Sequence, residues 1–247
     1  MKEKLTEMVF IIDRSGSMAG LESDTVGGFN ATVEKQKKED GEALVSTVLF
    51  ANGSEVLHDR RDIREIAPMT EREYSVGGCT ALLDAVGGAI HHIRNVHKYI
   101  REEDVPAKTV FVIITDGMEN ASREYGSAQV KSMIAEQEAQ GWEFLFLAAN
   151  IDAAQAAEGI GIRRERAVNY VHDDRGTARV YEGVSRAMSA VRKSAMCADC
   201  AAPLDESWRE EIDADFAARG TDSAATPNTP NSTPAPRKSH RIFGKKK

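Results

Sequence analysis

Five oxygen-bearing side chains in three distant segments have the types and the spacing that a metal site requires. They are Asp13, Ser15, Ser17, Thr80 and Asp116. The apolar run 8–12 ends directly before the first aspartate, and the run 110–114 ends two residues before the second. Hydroxyl and carboxylate oxygens are hard donors, and they suit Mg²⁺ or Mn²⁺ far better than zinc or copper. The three segments therefore predict a site for one small divalent cation.

Other functions that these residue types could serve have weaker support in the sequence. Asp and Ser after a strand also cap helices, but a cap would not need the two downstream oxygen donors. A phosphotransferase of the Asp-x-Asp type needs a second acid where this chain has Ser15. No Gly-x-x-x-x-Gly-Lys-Ser/Thr loop for nucleotide phosphates occurs. The serines have no recognisable histidine partner, because His91, His92 and His97 share one predicted helix and are expected on its surface. We therefore expect a binding protein rather than an enzyme.

Apolar runs alternate along the chain with helical patterns, which is typical of a mostly parallel sheet with helices on both faces. The predicted strands are 8–12, 44–50, a short edge strand at 55–58, 110–114, 144–149 and 167–171. The predicted helices are 23–39, 81–101, 127–140, 152–158 and 175–193. In such doubly wound α/β sheets, ligands bind at the carboxyl ends of strands where the winding direction reverses. Asp13 and Asp116 both fall at such ends, so motif and fold class predict the same edge.

The character of the sequence changes after about residue 194. We predict a first domain at 1–194, a linker with an amphipathic helix at 195–220, and a disordered tail with a basic end at 221–247. The helix would begin at an Asp205 N-cap, and its apolar stripe of Trp208, Ile212 and Phe216 would dock onto the domain itself or onto another protein. The tail is rich in Pro, Thr, Asn, Ala and Ser, and cannot bury enough apolar surface to offset its ordering entropy.

Charge, hydropathy and cysteine content exclude several classes of protein. The net charge of the 247 residues is −7, but the last eleven hold six Lys or Arg and no acid, so the first 236 carry −13. An acidic body disfavours nucleic-acid binding. No run of about 18 apolar residues could cross a membrane, and the charged N-terminus leaves no room for a signal peptide. Three cysteines make no disulfide framework, so we expect a cytoplasmic protein. Cys197 and Cys200 are either reduced thiols in a linker or half of a zinc site that a second chain completes.

The oxygen-rich segments also have a counterpart in a known family. The Asp-x-Ser-x-Ser segment at 13–17, the downstream Thr80 and the Thr-Asp-Gly segment at 115–117 resemble the metal-ion-dependent adhesion site of the von Willebrand factor A domain. The resemblance covers roughly residues 5–194, and the sequence of residues 77–84 is similar to that of small, stand-alone bacterial members. It implies a six-stranded sheet in the order 3-2-1-4-5-6, with the metal at the carboxyl edge.

The resemblance implies a role for each of the five oxygen donors. Ser15 and Ser17 would contact the metal through their hydroxyls, and Thr80 would do so when a partner is bound. Asp13 and Asp116 would act mostly through water, which leaves the cation electrophilic enough to take a carboxylate from outside. The implied function is a divalent-cation-dependent module that binds a protein partner through an acidic side chain of that partner.

Two further functions stay open at this stage. The domain could be a regulatory or recruiting subunit of a larger ATPase or metal-inserting complex, as the resemblance to other members implies. A metal-dependent phosphatase is the other reading, although Ser15 stands where that chemistry needs an acid.

Overall fold

Strands and helices alternate through residues 1–196 and 204–223, which are the residues that the computed structural model describes. The strands are β1 (Lys2–Asp13), β2 (Glu42–Phe50), β3 (Ser54–Asp62), β4 (Pro106–Thr115), β5 (Glu143–Ala148) and β6 (Ala167–Asn169). The α-helices are α1 (Glu22–Gln36), α2 (Leu82–Tyr99), α3 (Ser127–Glu138), α4 (Ala153–Ile160), α5 (Asp174–Ala195) and α6 (Glu210–Ser223). The strands form one sheet in the order β3-β2-β1-β4-β5-β6. The predicted α/β fold class and strand order are confirmed.

Helices cover both faces of the sheet, so its central strands are buried on each side. β1 pairs in parallel with β2 and β4, β5 and β6 continue the parallel sheet, and β3 pairs antiparallel with β2. In β1, Phe10 and Ile12 pack with α1 and α5, whereas Val9 and Ile11 pack with α2, α3 and α4. Burial on both faces explains why these strands read as continuous apolar runs without alternation.

The edge strand β3 is longer than its sequence predicts. The sequence predicts a strand at 55–58, whereas the strand runs from Ser54 to Asp62. Its second half is His-Asp-Arg-Arg-Asp and carries no apolar pattern, because one side of an edge strand faces solvent. The register against β2 shifts near Thr47, and Arg60 has a left-handed backbone with φ of 47°. An irregular, charged edge of this kind is a common protection against strand-to-strand association.

The C-terminal helix packs onto the domain itself, as one of the two sequence readings predicted. Trp208 and Ile212 are fully buried in the core between the sheet, α1 and α5, and Phe216 is half-buried. The predicted start of this helix was wrong. The Asp205 carboxylate accepts hydrogen bonds from the Ser207 N–H and hydroxyl, which closes a local turn, and α6 begins at Glu210.

Helix α6 ends at Ser223, three residues inside the segment that the sequence predicts as a tail. The rest of the predicted tail, 224–247, and the pair Cys197 and Cys200 lie outside the described residues. Within the described ranges, no helix combines the length and the apolar character that crossing a membrane would require.

Candidate metal centre

The two aspartates meet at the carboxyl edge of the sheet because their strands are neighbours. Asp13 is the last residue of β1, and Asp116 directly follows β4. The two strands pair in parallel as far as Ile12 and Ile114. Both aspartates are buried, with exposed fractions of 0% and 2%. Parallel pairing therefore brings together two carboxylates that are about a hundred residues apart in sequence.

Asp13 fixes the backbone of the first loop. Its Oδ1 accepts a hydrogen bond from the Ser15 N–H at 2.7 Å, and its Oδ2 accepts one from the Thr115 hydroxyl at 2.6 Å. The Asp13 carbonyl oxygen also accepts a hydrogen bond from the buried Tyr74 hydroxyl at 2.5 Å. With a donor on each oxygen, this carboxylate holds the ends of β1 and β4 in register around the site.

The serine hydroxyls connect the first loop to the second aspartate. Ser15 Oγ and Ser17 Oγ lie 3.0 Å apart, and the Ser17 hydroxyl donates to Asp116 Oδ1 at 2.5 Å. Gly117 leaves the neighbouring space open, since a Cβ there would lie 3.4 Å from both Ser17 Oγ and Thr80 Oγ1. The structure thus brings all five predicted donors to one place on the edge of the sheet.

The Thr80 segment is wrapped over the first loop by backbone contacts that need glycine. The Gly16 N–H donates to the Gly78 carbonyl at 3.1 Å. Gly78 has a φ of 85°, and a Cβ there would collide with the Asn52 side chain at 2.7 Å. Asn120 makes two hydrogen bonds to the backbone of Thr80. Its side-chain oxygen accepts one from the Thr80 N–H at 2.9 Å, and its backbone N–H donates one to the Thr80 carbonyl at 3.0 Å.

The charges of the centre are incompletely compensated. Burial raises the pKa of Asp13 and of Asp116 above the ordinary value of 3.8. The buried Asp116 Oδ2 makes no hydrogen bond, and the nearest group that could carry a positive charge is His172, with Nδ1 at 3.4 Å and also without a hydrogen bond. Among the described residues, His172 is the one basic side chain within 4 Å of either carboxylate. A buried carboxylate oxygen without a donor is a site where a cation would be favourable.

This donor set fits a hard divalent cation. Within the described ranges, no cluster of three or more His, Cys, Asp or Glu side chains could hold a metal ion, so a site here must use hydroxyl oxygens. Three hydroxyls, the free Asp116 Oδ2 and the space left open by Gly117 provide such a place. Ser15, Ser17 and Thr80 would hold the ion through their hydroxyls, with the two aspartates close behind them. These roles stay predictions.

Three residues of the centre were not predicted from the sequence. His172 directly follows the predicted strand 167–171, so its position at the carboxyl edge was a usable signal. Thr115 belongs to the Thr-Asp-Gly segment, but its hydrogen bond to Asp13 could not be predicted, because it depends on the register of β1 against β4. Tyr74 lies in an irregular loop, and nothing in its neighbourhood in the sequence points to the site.

A further buried carboxylate, that of Glu7, lies on the sheet outside the metal centre, and its surroundings correct one expectation. His91 and His92 are exposed as predicted, but His97 is half-buried, and its Nε2 lies 2.5 Å from Glu7 Oε2. Glu7 is fully buried, and its other oxygen accepts a hydrogen bond from Arg60 Nε at 2.6 Å. The surface prediction for His97 was wrong because α2 lies over β1 and turns this residue toward the glutamate.

The strand order and the three converging loops define a von Willebrand factor A fold. Scans against protein-family models and against curated proteins find no match. Among solved structures, the chain is similar to proximal thread matrix protein 1 of the mussel byssus with a zinc-occupied adhesion site (16% identity, TM-score 0.54, 76% of this chain and 46% of that one). It is also similar to a von Willebrand factor type A protein from Catenulispora acidiphila, with 16% identity, a TM-score of 0.52, and coverage of 76% of this chain and 43% of that one.

A third similar structure is the PilB minor pilin from Streptococcus sanguinis, with 8% identity, a TM-score of 0.53, and coverage of 76% of this chain and 62% of the pilin. The chain therefore spans between 43% and 62% of the length of these three structures. At identities this low, the similarity supports a shared fold and nothing finer.

Proposed function

We propose that the chain is a divalent-cation-dependent module that binds a protein partner through an acidic side chain of that partner. The observation that carries the proposal is the buried Asp116 Oδ2, which has no hydrogen-bond partner, on a carboxylate whose other oxygen accepts the Ser17 hydroxyl. A folded chain tolerates such an oxygen when a ligand completes it. A mussel protein with the same fold and a zinc-occupied adhesion site supports the idea that this edge holds a metal.

Each donor has a separate task in this proposal. Ser15, Ser17 and Thr80 offer neutral oxygens, which leave most of the positive charge of a cation uncompensated. Asp13 cannot turn away from its loop, because both of its oxygens already accept hydrogen bonds. A bound cation would supply an open coordination position for a carboxylate oxygen from outside the chain. The all-oxygen donor set makes Mg²⁺ or Mn²⁺ our proposed ion, in contrast to the zinc of the mussel protein.

We also propose that the site binds without catalysing a reaction. The Ser17 hydroxyl donates a hydrogen bond to a carboxylate, and Ser15 Oγ is hydrogen-bonded to Ser17 Oγ. Neither serine is therefore activated by a histidine. His172 faces Asp116 instead. The exposed free thiol of Cys79 suits a reducing compartment, and we propose that the module works in the cytoplasm.

The proposal can be tested by capturing partners from an extract of the source cells on the immobilised full-length chain. We expect a set of proteins that is retained with Mg²⁺ and released by a chelator. Asp116→Asn should lose this set, because the substitution removes a charge from the centre. Asp59→Asn is the matched control, since Asp59 is an exposed aspartate whose contact is His92.

The captured protein must then lose its affinity when one particular Asp or Glu of its own is replaced by Asn or Gln. Retention that is equal with chelator and with Mg²⁺, or that survives Asp116→Asn, would overturn the proposal.

A further inference from the structure

A groove of about 410 Å³ opens directly beside the metal centre. It lies between the first turn of α2, the loop that follows β4, and α4. Its apolar lining consists of Leu82, Leu83, Met118, Ile151, Ala156 and Ile160. Gly117 belongs to the groove and to the metal centre at once, because it lines the groove and a Cβ added to it would lie 3.4 Å from the hydroxyl oxygens of Ser17 and Thr80. The groove and the metal centre therefore share Gly117, and a ligand at one lies close to the other.

Met118 exposes an apolar side chain at the rim of a polar site. Its exposed fraction is 69%, and it directly follows the Thr-Asp-Gly segment of the metal centre. Leu83 and Ile151 are half-buried within the groove. Methionine is flexible and polarizable, and it adapts well to apolar side chains of different shapes. Such a residue beside a metal centre suits contact with a second molecule.

The loop that carries Met118 is held in place by the carboxylate of Glu119. This side chain accepts hydrogen bonds from the backbone N–H groups of Leu83, Ala121 and Ser122, at 2.8, 2.9 and 2.8 Å. The carboxylate lines the groove, but its oxygens already accept hydrogen bonds from the backbone. A fixed loop also means that little ordering entropy would be lost when a ligand binds.

A second carboxylate anchors the far end of the same loop. Asp84, on the first turn of α2, accepts hydrogen bonds from the backbone N–H groups of Arg123, Glu124 and Tyr125, at 2.8, 2.9 and 2.9 Å. The carboxylate of Asp152, at the α4 end of the groove, caps that helix by accepting the Gln155 N–H. The groove therefore offers an apolar floor with acidic groups around it, which disfavours a second acidic side chain.

We propose that this groove takes an apolar side chain of the same partner segment whose carboxylate reaches the metal centre. The inference rests on the proposed function and narrows the partner to an extended peptide segment in which an acidic residue is flanked by a side chain of about leucine or methionine size. The position of Gly117 favours this occupant, because this residue lines the groove and also lies against two hydroxyls of the metal centre.

Three blocked pentapeptides test the inference on the full-length chain with labelled methionine methyl groups. They are Gly-Leu-Glu-Leu-Gly, Gly-Gly-Glu-Gly-Gly and Gly-Leu-Gln-Leu-Gly. In the presence of Mg²⁺, we expect the first to bind about fivefold more tightly than the second, as partial burial of one leucine would give. The first peptide should also shift the Met118 methyl resonance. The third peptide, which lacks the carboxylate, should bind far more weakly than the first.

Two variants locate the effect. Met118→Ser should reduce the preference for the leucine peptide, whereas Met196→Ser, which changes another partly exposed methionine, should leave it unchanged. Equal binding of the two glutamate peptides would overturn this inference and leave the proposed function intact. Failure of both to bind with Mg²⁺ would overturn the proposed function and this inference with it.

Two other possible occupants of the groove, the tail of the chain and a second copy, can be detected from the Met118 resonance in the absence of peptide. A Met118 resonance that shifts when residues 224–247 are deleted would assign the groove to the tail of the chain. One that shifts with protein concentration would assign it to a second copy. Either result would overturn the inference.

Discussion

His172 and Asp116 face each other at the metal centre, with 3.4 Å between Nδ1 and Oδ2, and neither atom makes a hydrogen bond. The other oxygen of Asp116 accepts the Ser17 hydroxyl at 2.5 Å. A buried carboxylate oxygen without a donor costs free energy, so the chain without metal is poorly satisfied at this residue. Stability and cation binding should therefore oppose each other at Asp116, as is common at functional sites.

Asp116→Asn should stabilise the metal-free chain. The substitution removes a buried charge and keeps an oxygen that can accept the Ser17 hydroxyl. We expect a gain of about 1 kcal/mol, which is a rise of about 2–4 °C in the thermal midpoint. Thermal unfolding in a chelator measures this change, and Asp59→Asn serves as the exposed control. A clear loss of stability would show that Asp116 supports the fold without a cation.

The effect of Asp116→Asn should depend on pH. Burial raises the pKa of Asp13 and Asp116 in the folded chain above the ordinary 3.8, so the folded state holds these protons more tightly than the unfolded state. The metal-free chain therefore loses stability as pH rises from about 3.8 through the raised values. We expect the gain from the substitution to be small near about pH 4 and full near about pH 7.5, by unfolding in chelator. A gain that is the same at both pH values would contradict this account of the buried charges.

Gly117→Ala should weaken cation binding with little effect on the fold. The added Cβ would lie 3.4 Å from both Ser17 Oγ and Thr80 Oγ1, which is an ordinary contact for the protein but fills the space between the two hydroxyls. We expect the affinity for Mn²⁺ to fall by at least about tenfold, as measured by calorimetry. Gly126→Ala is the matched control, because a Cβ there meets nothing within 4 Å. Unchanged affinity in Gly117→Ala would place the ion elsewhere.

Trp208→Ala should reveal how much the turn that leads into α6 contributes to the core of the domain. Trp208 is 1% exposed, and the helix packs so closely that a Cβ at Gly183 of α5 would lie 2.6 Å from Ile212. We expect a loss of about 3–5 kcal/mol in the free energy of unfolding, as for a large side chain removed from a core. Urea denaturation measures it, and the half-buried Phe216→Ala should lose less. A loss below about 1 kcal/mol would mean that Trp208 does not anchor this C-terminal segment in the core.

The sequence predicts the parts of this structure that depend on short-range patterns. Continuous apolar runs identify β1 and β4, and the residues that end them include Asp13 and Asp116. The edge strand β3 is only partly predicted, because half of it is charged and has no apolar periodicity.

Contacts that depend on three-dimensional register are not predicted. The pairing of His97 with Glu7 requires that α2 lies over a particular residue of β1, and the contact of His172 with Asp116 requires two neighbouring loops at the sheet edge. Neither pair has a spacing in sequence that marks it. The five oxygen donors are an exception, because Asp13 and Asp116 follow apolar runs that predict strands, and the resemblance to a known motif implies that the three hydroxyls join them.

The most direct test of the central claim is the binding of Mn²⁺ to the full-length chain, measured by calorimetry and electron paramagnetic resonance with Mg²⁺ as competitor. The account predicts one Mn²⁺ per chain, displaced by Mg²⁺ and lost in both Ser17→Ala and Asp116→Ala, with Ser207→Ala binding like the wild type. The claim that the five side chains hold one hard cation would be contradicted if the wild type bound no Mn²⁺. It would also be contradicted if Ser17→Ala and Asp116→Ala bound Mn²⁺ as tightly as the wild type does.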